Sequence, residues 1–256
     1  MKLVEVQELS RSFGGVQAVK NVSFHVNEGE IVALIGPNGA GKSTVLNMVS
    51  GVIPPSSGEI AYRGQSLKKV AGDRYAGLGI TRTFQNLQTF DDMTVLENVM
   101  TGLHSCTKSG VFSCGLKLPF ARKEEEEMKK QAMQWLKLVG ISHLALLKAE
   151  RLSYGQLRLM EIARAMCSGP GFLLLDEPAA GLNHTETAQM TNTFRKFKEM
   201  GTSLLLVEHD MDMIMNLADR IIVLDQGAKI AEGTPQEIQE DARVIAAYLG
   251  QEEDSA

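Results

Sequence analysis

IVALIGPNGAGKST, residues 31–44, runs from five consecutive apolar residues into a glycine-rich turn that closes on Lys42, Ser43 and Thr44. The apolar run fits a strand buried on both faces. The turn Gly36, Pro37, Asn38, Gly39, Ala40, Gly41, Lys42, Ser43 matches G-x-x-x-x-G-K-[ST], a pattern that requires a strand before it and a helix after it. Residues 42–50 read as that helix, stopped by Gly51. The glycines let backbone N–H groups converge on phosphate oxygens without Cβ contacts. The helix N-terminus adds partial positive charge. In such a loop Lys42 reaches the β- and γ-phosphates and the Ser43 hydroxyl ligates Mg2+.

A second element fits the first. FLLLDE, residues 172–177, is four apolar residues followed by two acids. Ligands of open α/β sheets sit at the carboxyl ends of strands. Asp176 is therefore placed to hold Mg2+, and Glu177, one residue on, to polarise an attacking water.

The remainder of the chain frames these two stretches. Residues 3–35 alternate apolar and polar stretches with turn signals at Gly14-Gly15 and Asn27-Glu28-Gly29, and read as strands and hairpins. EIAYRGQSL, residues 59–67, reads as a short hairpin. From about residue 93 to 165 the helical period dominates, with Met128, Ala132, Trp135, Leu136 and Val139 on one stripe. Glu125/Lys129 and Glu126/Lys130 stand at i,i+4 on a solvated face. Residues 104–120 form a Gly/Ser-rich insertion. Apolar runs at 172–175, 203–207 and 221–224, separated by helical or turn segments, predict a parallel sheet covered by helices. The expected organisation is a single domain over 1–256. Residues 1–86 and 166–256 form an α/β core with an N-terminal antiparallel β part, and 87–165 form an inserted helical part.

Composition excludes several classes. Of 256 residues, 44 % are hydrophobic, so a sizeable core is within reach and wholesale disorder is excluded. The net charge of −5 and pI of about 5.6 lack the basic footprint of a nucleic-acid binder. The opening residues show no signal-peptide core, and no run approaches the ~18 apolar residues of a membrane helix. The expectation is a soluble, cytoplasmic chain that meets a membrane only through partners. Three cysteines fit reduced thiols, and the spacing of His104, Cys106 and Cys114 fits no standard zinc pattern.

Four further stretches narrow the reading. LSYGQ occupies 152–156, Gln85 sits in TRTFQNLQTF, EPAAGLN spans 177–183, and His209 lies in LLLVEHDM, 32 residues after Glu177. With GPNGAGKST, these resemble the ATP-binding subunit of an ABC transporter along nearly the whole chain. RTFQNLQTFDDMTVLENV, the insertion SGVFSCGLKLPFARKEEEE (109–127), DEPAAGLN and the terminal ARVIAAYLG are similar to the larger ATPase subunit of high-affinity branched-chain amino acid importers (the LivG type). Asn183, where most such ATPases have Asp, is shared with that type.

The resemblance implies a P-loop NTPase with a RecA-like core, an N-terminal antiparallel β subdomain and an inserted α-helical subdomain. It implies ATP and Mg2+ as cofactors. Gln85 would be the glutamine that links Mg2+ or the lytic water to the helical subdomain, and His209 would contact the γ-phosphate. Phe13 would stack on adenine. Gly36 to Thr44 would cradle the nucleotide, with Ser43, Gln85 and Asp176 around Mg2+. Ser153, Tyr154, Gly155 and Gln156 would face the ATP of a second ATPase subunit in a head-to-tail pair, alike or different in sequence. Gly181, Leu182 and Asn183 would form the loop between the two. Two permease subunits would hold the pair at the cytoplasmic face of the membrane, with a solute-binding protein acting indirectly.

Ser153 followed by Gln156 is also a capping box at the start of a helix through Met166. Tyr154 departs from the common LSGGQ, and the expectation is that it turns aside and is tolerated. Urea, amide or aromatic-acid importers and exporters use similar ATPases. Soluble repair or translation ATPases are disfavoured by the short helical insertion, the single cassette and the acidic charge. A P-loop kinase leaves LSYGQ and His209 unexplained.

Overall fold

The computed structural model describes residues 1–83, 87–106 and 119–253. The chain opens with a long hairpin, β1 (Lys2–Phe13) and β2 (Val16–Asn27), followed by the buried strand β3 (Ile31–Ile35) and helix α1 (Lys42–Val49). The hairpin β4 (Ser57–Tyr62) and β5 (Gln65–Ser66) comes next, then α2 (Tyr75–Leu78) and β6 (Ile80–Arg82). A helical stretch holds α3 (Val95–Met100), α4 (Pro119–Leu138) and α5 (Tyr154–Met166). Alternation returns with β7 (Phe172–Asp176), α6 (His184–Glu199), β8 (Ser203–Val207), α7 (Met211–Leu217), β9 (Arg220–Asp225) and β10 (Ala228–Gly233). Helices α8 (Pro235–Glu240) and α9 (Ala242–Glu253) end the described chain.

Two sheets result. One is antiparallel in the order β2-β1-β4-β5. The other runs β10-β9-β3-β8-β7-β6 and is parallel except for β10, which turns back on β9. Strand side chains alternate between faces, and here both faces are covered. Ile31, Ala33 and Ile35 join Leu173, Leu175, Leu204 and Leu206 in the core beneath α3 to α6. Val32 and Leu34 join Phe172, Leu174, Leu205 and Val207 in a second core against α1 and the antiparallel sheet. Burial of each such side chain contributes about 1.5–3 kcal/mol relative to exposure, which is why these strands read as unbroken apolar runs.

The helical stretch is fastened to the core by the stripe expected for it. Ala132, Leu136 and Val139 are buried, and Trp135 meets Phe197 of α6 edge-on at 5.9 Å. On the solvent side Lys129 pairs with Glu125 at 2.6 Å, as its spacing predicts. Lys130 reaches Glu127 at i,i+3, at 3.1 Å, rather than Glu126. Both rotamer choices serve a solvated face, where either acid is within reach. Among the described residues no helix is long and apolar enough to cross a membrane. The residues of the insertion at 107–118, with Cys114, lie outside the described residues.

Candidate nucleotide site

The glycine-rich turn sits at the carboxyl end of β3. Gly36 has φ 148°, Gly39 φ 79° and Gly41 φ 97°. A Cβ on Gly36 would stand 2.0 Å from the Leu224 carbonyl oxygen, and one on Gly41 2.5 Å from that of Ala18. Both positions therefore require glycine for space as well as for backbone angle. Gly41 caps α1 in the left-handed conformation, with no side chain over the helix start. A helix N-terminus of this kind, with no side chain covering it, favours an anion. Lys42 is buried, and its Nζ donates to the carbonyls of Gly36 (2.7 Å) and Pro37 (2.9 Å). Burial pushes the ammonium pKa down, opposed by the nearby carboxylates of Glu177 and Asp176. Ser43 is exposed at the first turn of α1 and Thr44 half-buried, while Asn38 and Gly39 form the exposed tip.

The two acids arrive at the same end of the sheet from β7. Asp176 is buried; its Oδ2 accepts from Arg82 Nη2 at 2.8 Å, and its Oδ1 has no hydrogen-bond partner among the described residues. Arg82 also donates to Asn47 Oδ1 (2.6 Å) and Ser50 Oγ (2.9 Å), so it spans from β6 to both α1 and Asp176. Glu177 follows with φ 47°, a left-handed conformation that is strained for a residue bearing a Cβ. Its Oε1 lies 3.2 Å from Nε2 of His209, which comes from the carboxyl end of β8.

Glu208, next to that histidine, is buried. It accepts from the backbone N–H of Ala179 (2.6 Å), His209 (2.8 Å) and Asp210 (3.3 Å). Burial pushes its pKa up, against those three N–H donors and with the Asp210 charge. One carboxylate thus staples the His209 loop to the loop after Glu177.

The arrangement suits a metal-bound nucleotide. The buried Asp176 Oδ1, without a hydrogen-bond partner among the described residues, is a hard oxygen donor of the kind that fits Mg2+. Glycine at 36 and 41 lets the loop pass the Leu224 and Ala18 carbonyls on its way into α1. Phe13 is 46 % exposed at the end of β1 with the Arg11 guanidinium 4.8 Å from its ring centroid. The hairpin that carries it presses on the glycine loop through Ala18.

The turn at 152–156 stands apart from this cluster. Ser153 and Gln156 form the expected capping box: Ser153 Oγ accepts from Gln156 N–H (3.3 Å) and Gln156 Oε1 from Ser153 N–H (2.9 Å). Gly155 is buried beneath Glu186, and Tyr154 lies over Gly181. Asn183 caps α6, its Oδ1 accepting from Thr185 and Glu186 N–H at 3.0 Å each. Leu182 is partly buried against the helical core. The structure therefore gathers Gly36 to Thr44, Asp176, Glu177 and His209 at one sheet end, and packs the 153–156 turn on Gly181 to Asn183. Gln85 lies outside the described residues.

Sequence reasoning missed Arg82, Glu208 and Tyr248. Tyr248 is carried by α9; burial raises its phenol pKa, opposed by a backbone hydrogen bond with Gly36. Arg82, between Thr81 and Thr83, had no signal in the sequence. Glu208 had a weak one, an acid directly after a wholly apolar strand.

Comparison with known proteins bears on the same residues. The family described as ABC transporter matches residues 19–180, and that described as branched-chain amino acid ATP-binding cassette transporter matches 228–254. The high-affinity branched-chain amino acid transport ATP-binding protein LivG of Salmonella typhimurium is 44 % identical, over 97 % of this chain and 98 % of its own. A nucleotide-free ATP-binding cassette from an ABC transporter superposes with TM-score 0.85 at 32 % identity, covering 97 % of this chain and 99 % of that one. A dimeric cassette in a post-hydrolysis state, bound to ADP and Pi, superposes with TM-score 0.77 at 27 % identity, covering 91 % and 99 %. With its glycine cradle, paired acids and histidine in this shared framework, the chain belongs to the ABC transporter family of ATP-binding subunits, in the branch that holds the LivG proteins.

Proposed function

We propose that this chain hydrolyses ATP to power an importer of leucine, isoleucine and valine. One observation carries the reading. Lys42, Asp176, Glu177 and His209 meet at the carboxyl end of one parallel sheet, in a chain whose near full-length relative is a branched-chain amino acid transport protein by name. Ser43, Asp176 and Gln85 would hold Mg2+, which would supply positive charge to offset the negative charge developing on the phosphates. Phe13 stacks on the adenine, and the N–H groups of 36–44 with Lys42 bind the phosphates. Glu177 takes a proton from the attacking water. His209, fixed by its contact with Glu177 and by the Glu208 staple behind it, holds the γ-phosphate.

Two such subunits, alike or different, pair head to tail, each offering its 153–156 turn to the ATP on the other. A superposing cassette that is dimeric and bound to ADP and Pi supports pairing of two such subunits. Residues 87–165 act as the helical subdomain that transmits closure to two permease subunits at the cytoplasmic face of the membrane, with solute selected by an external binding protein. Ligand-driven closure of this kind needs a differential affinity of roughly 5 kcal/mol to swing the population fully. Two phosphate-clamping surfaces per ATP supply it.

The test is uptake by cells lacking this chain, complemented with wild type or Lys42→Ala, using labelled leucine, isoleucine, valine, urea and short amides. Uptake of the three branched amino acids is expected to return with wild type alone. Recovery of urea or amide uptake instead would overturn the solute, and full recovery with Lys42→Ala would overturn the ATP-driven mechanism.

A further inference from the structure

The sequence expectation for Tyr154 is a tolerated side chain turned aside. The structure gives it a defined contact. Its ring edge lies against Gly181, where a Cβ would stand 3.2 Å from Cε1, and Gly181 has φ 77°. Its hydroxyl accepts from Arg158 Nη2 at 3.0 Å, with the guanidinium carbon 5.4 Å from the ring centroid. Arg158 is itself buried and paired with Glu161 at 3.2 Å. The ring is 44 % exposed, so it is not a core residue held by general burial. It is held from behind by a buried cation and set on one backbone position in front.

A second contact of the same kind runs the other way. A Cβ on Gly155 would stand 2.4 Å from Glu186 Oε1. Glu186 Oε2 accepts from Asn183 N–H at 3.0 Å and closes the α6 capping box. Each loop thus offers a glycine to a large side chain of the other: Gly181 to Tyr154, and Gly155 to Glu186. An interlock of two side chains in two glycine notches resists sliding and rotation, because either movement drives side chain into backbone.

We propose that Tyr154 is a positioning residue whose ring locks the 153–156 turn to the Gly181–Asn183 loop within one subunit, so that both surfaces are presented to the partner subunit as one rigid body. This rests on the head-to-tail pairing proposed above. Closure signalled through the helical stretch then moves the loop between subunits together with the turn that meets ATP. Arg158 and Glu161 extend the lock into α5, and Asn183 extends it into α6.

The experiment compares wild type, Tyr154→Gly and Tyr154→Phe. Amide hydrogen exchange on the dilute, nucleotide-free protein reads the lock with no second subunit involved. The Ala180 and Leu182 amides are held by turn bonds to Glu177 and Ala179 at 3.2 and 3.1 Å. Their exchange is expected to rise roughly 5- to 20-fold in Tyr154→Gly, the range of a single lost packing contact. Amides of 31–35 should stay unchanged, and Tyr154→Phe, which keeps the ring on Gly181 but loses the bond from Arg158, should restore most of the protection. Unchanged exchange at Ala180 and Leu182 in Tyr154→Gly overturns the proposal, and so does unaltered protection with Tyr154→Gly alongside weakened dimerisation, which would make the ring a direct partner contact. In a Glu177→Gln background the ATP concentration for half-maximal dimerisation should rise about tenfold in Tyr154→Gly. If the Glu177→Gln parent does not dimerise with ATP, the pairing itself fails, while the exchange result still decides the lock.

Discussion

His209 Nε2 stands 3.2 Å from Glu177 Oε1, although the two side chains come from different strands and lie 32 residues apart. Glu177 reaches that position with φ 47°. A carboxylate held in a left-handed conformation and aimed at an imidazole is strained for the sake of where it points. The strain and the proposed chemistry therefore separate on mutation. Glu177→Gln keeps the shape but cannot take a proton, so turnover should fall at least ~100-fold while nucleotide binding is retained. Phosphate release set against fluorescent ATP binding checks this, and normal turnover would remove Glu177 from the role.

Glu177→Gly relieves the strain together with the loss of the side chain and its His209 contact. Glycine adopts positive φ without a Cβ penalty. The variant should gain about 0.5–1 kcal/mol in urea unfolding while losing hydrolysis. A loss of stability would mean that the Glu177 side chain contributes packing that outweighs its backbone cost.

Arg82 ties three elements by one side chain, and it is 8 % exposed where Asp176 is 5 %. Removing one partner of a buried ion pair leaves an uncompensated charge, at a cost of roughly 3–5 kcal/mol. Arg82→Leu should therefore destabilise strongly, and more than Arg82→Lys, which can still meet Asp176 but cannot also span to Asn47 and Ser50. Equal unfolding midpoints for both variants would reduce Arg82 to a generic buried cation.

Glu208 gives a pH signature. Burial raises its folded pKa above the ordinary 4.5. A raised carboxyl binds its proton more tightly folded than unfolded, so the fold loses stability as pH climbs from about 4.5 through the raised value, then levels off. Gln cannot ionise; its one amide oxygen keeps the N–H bonds of only one side, a loss that does not vary with pH. The stability difference between Glu208→Gln and wild type should therefore move in favour of Gln across that rise. Urea titrations at stepped pH read it, and a pH-independent difference would place the Glu208 pKa near its ordinary value.

How much of this was legible follows from how local each signal is. The glycine loop, the acids after β7 and the Ser153 capping box are written in consecutive residues, so spacing alone exposes them. Strand β3 was legible because both of its faces are buried. Strand β6 was not: three residues with arginine at the end carry no period, and only pairing with β7 makes them a strand. Arg82, Glu208 and the Tyr154–Gly181 contact were hidden for the same reason. Each acquires its meaning from a residue distant in sequence or on another loop, and a one-dimensional pattern assigns them only their default roles of surface charge or tolerated aromatic.

The close approach of Gly155 and Glu186 predicts a non-additive pair of substitutions. A Cβ at 155 meets Glu186 Oε1 at 2.4 Å, so Gly155→Ala must displace the carboxylate from the α6 capping box. The single variant should lose about 1–2 kcal/mol. Glu186→Ala alone should lose roughly 1 kcal/mol of cap. Together the losses should fall short of their sum by about 1 kcal/mol, since the alanine at 155 no longer meets a carboxylate. Gly155→Asp sets a second negative charge against Glu186, and it should be the most damaging of the set and abolish ATP hydrolysis. A double-mutant cycle in urea measures the coupling, and strict additivity would show that Glu186 moves away at no cost and that glycine at 155 is required only by what binds in front of it.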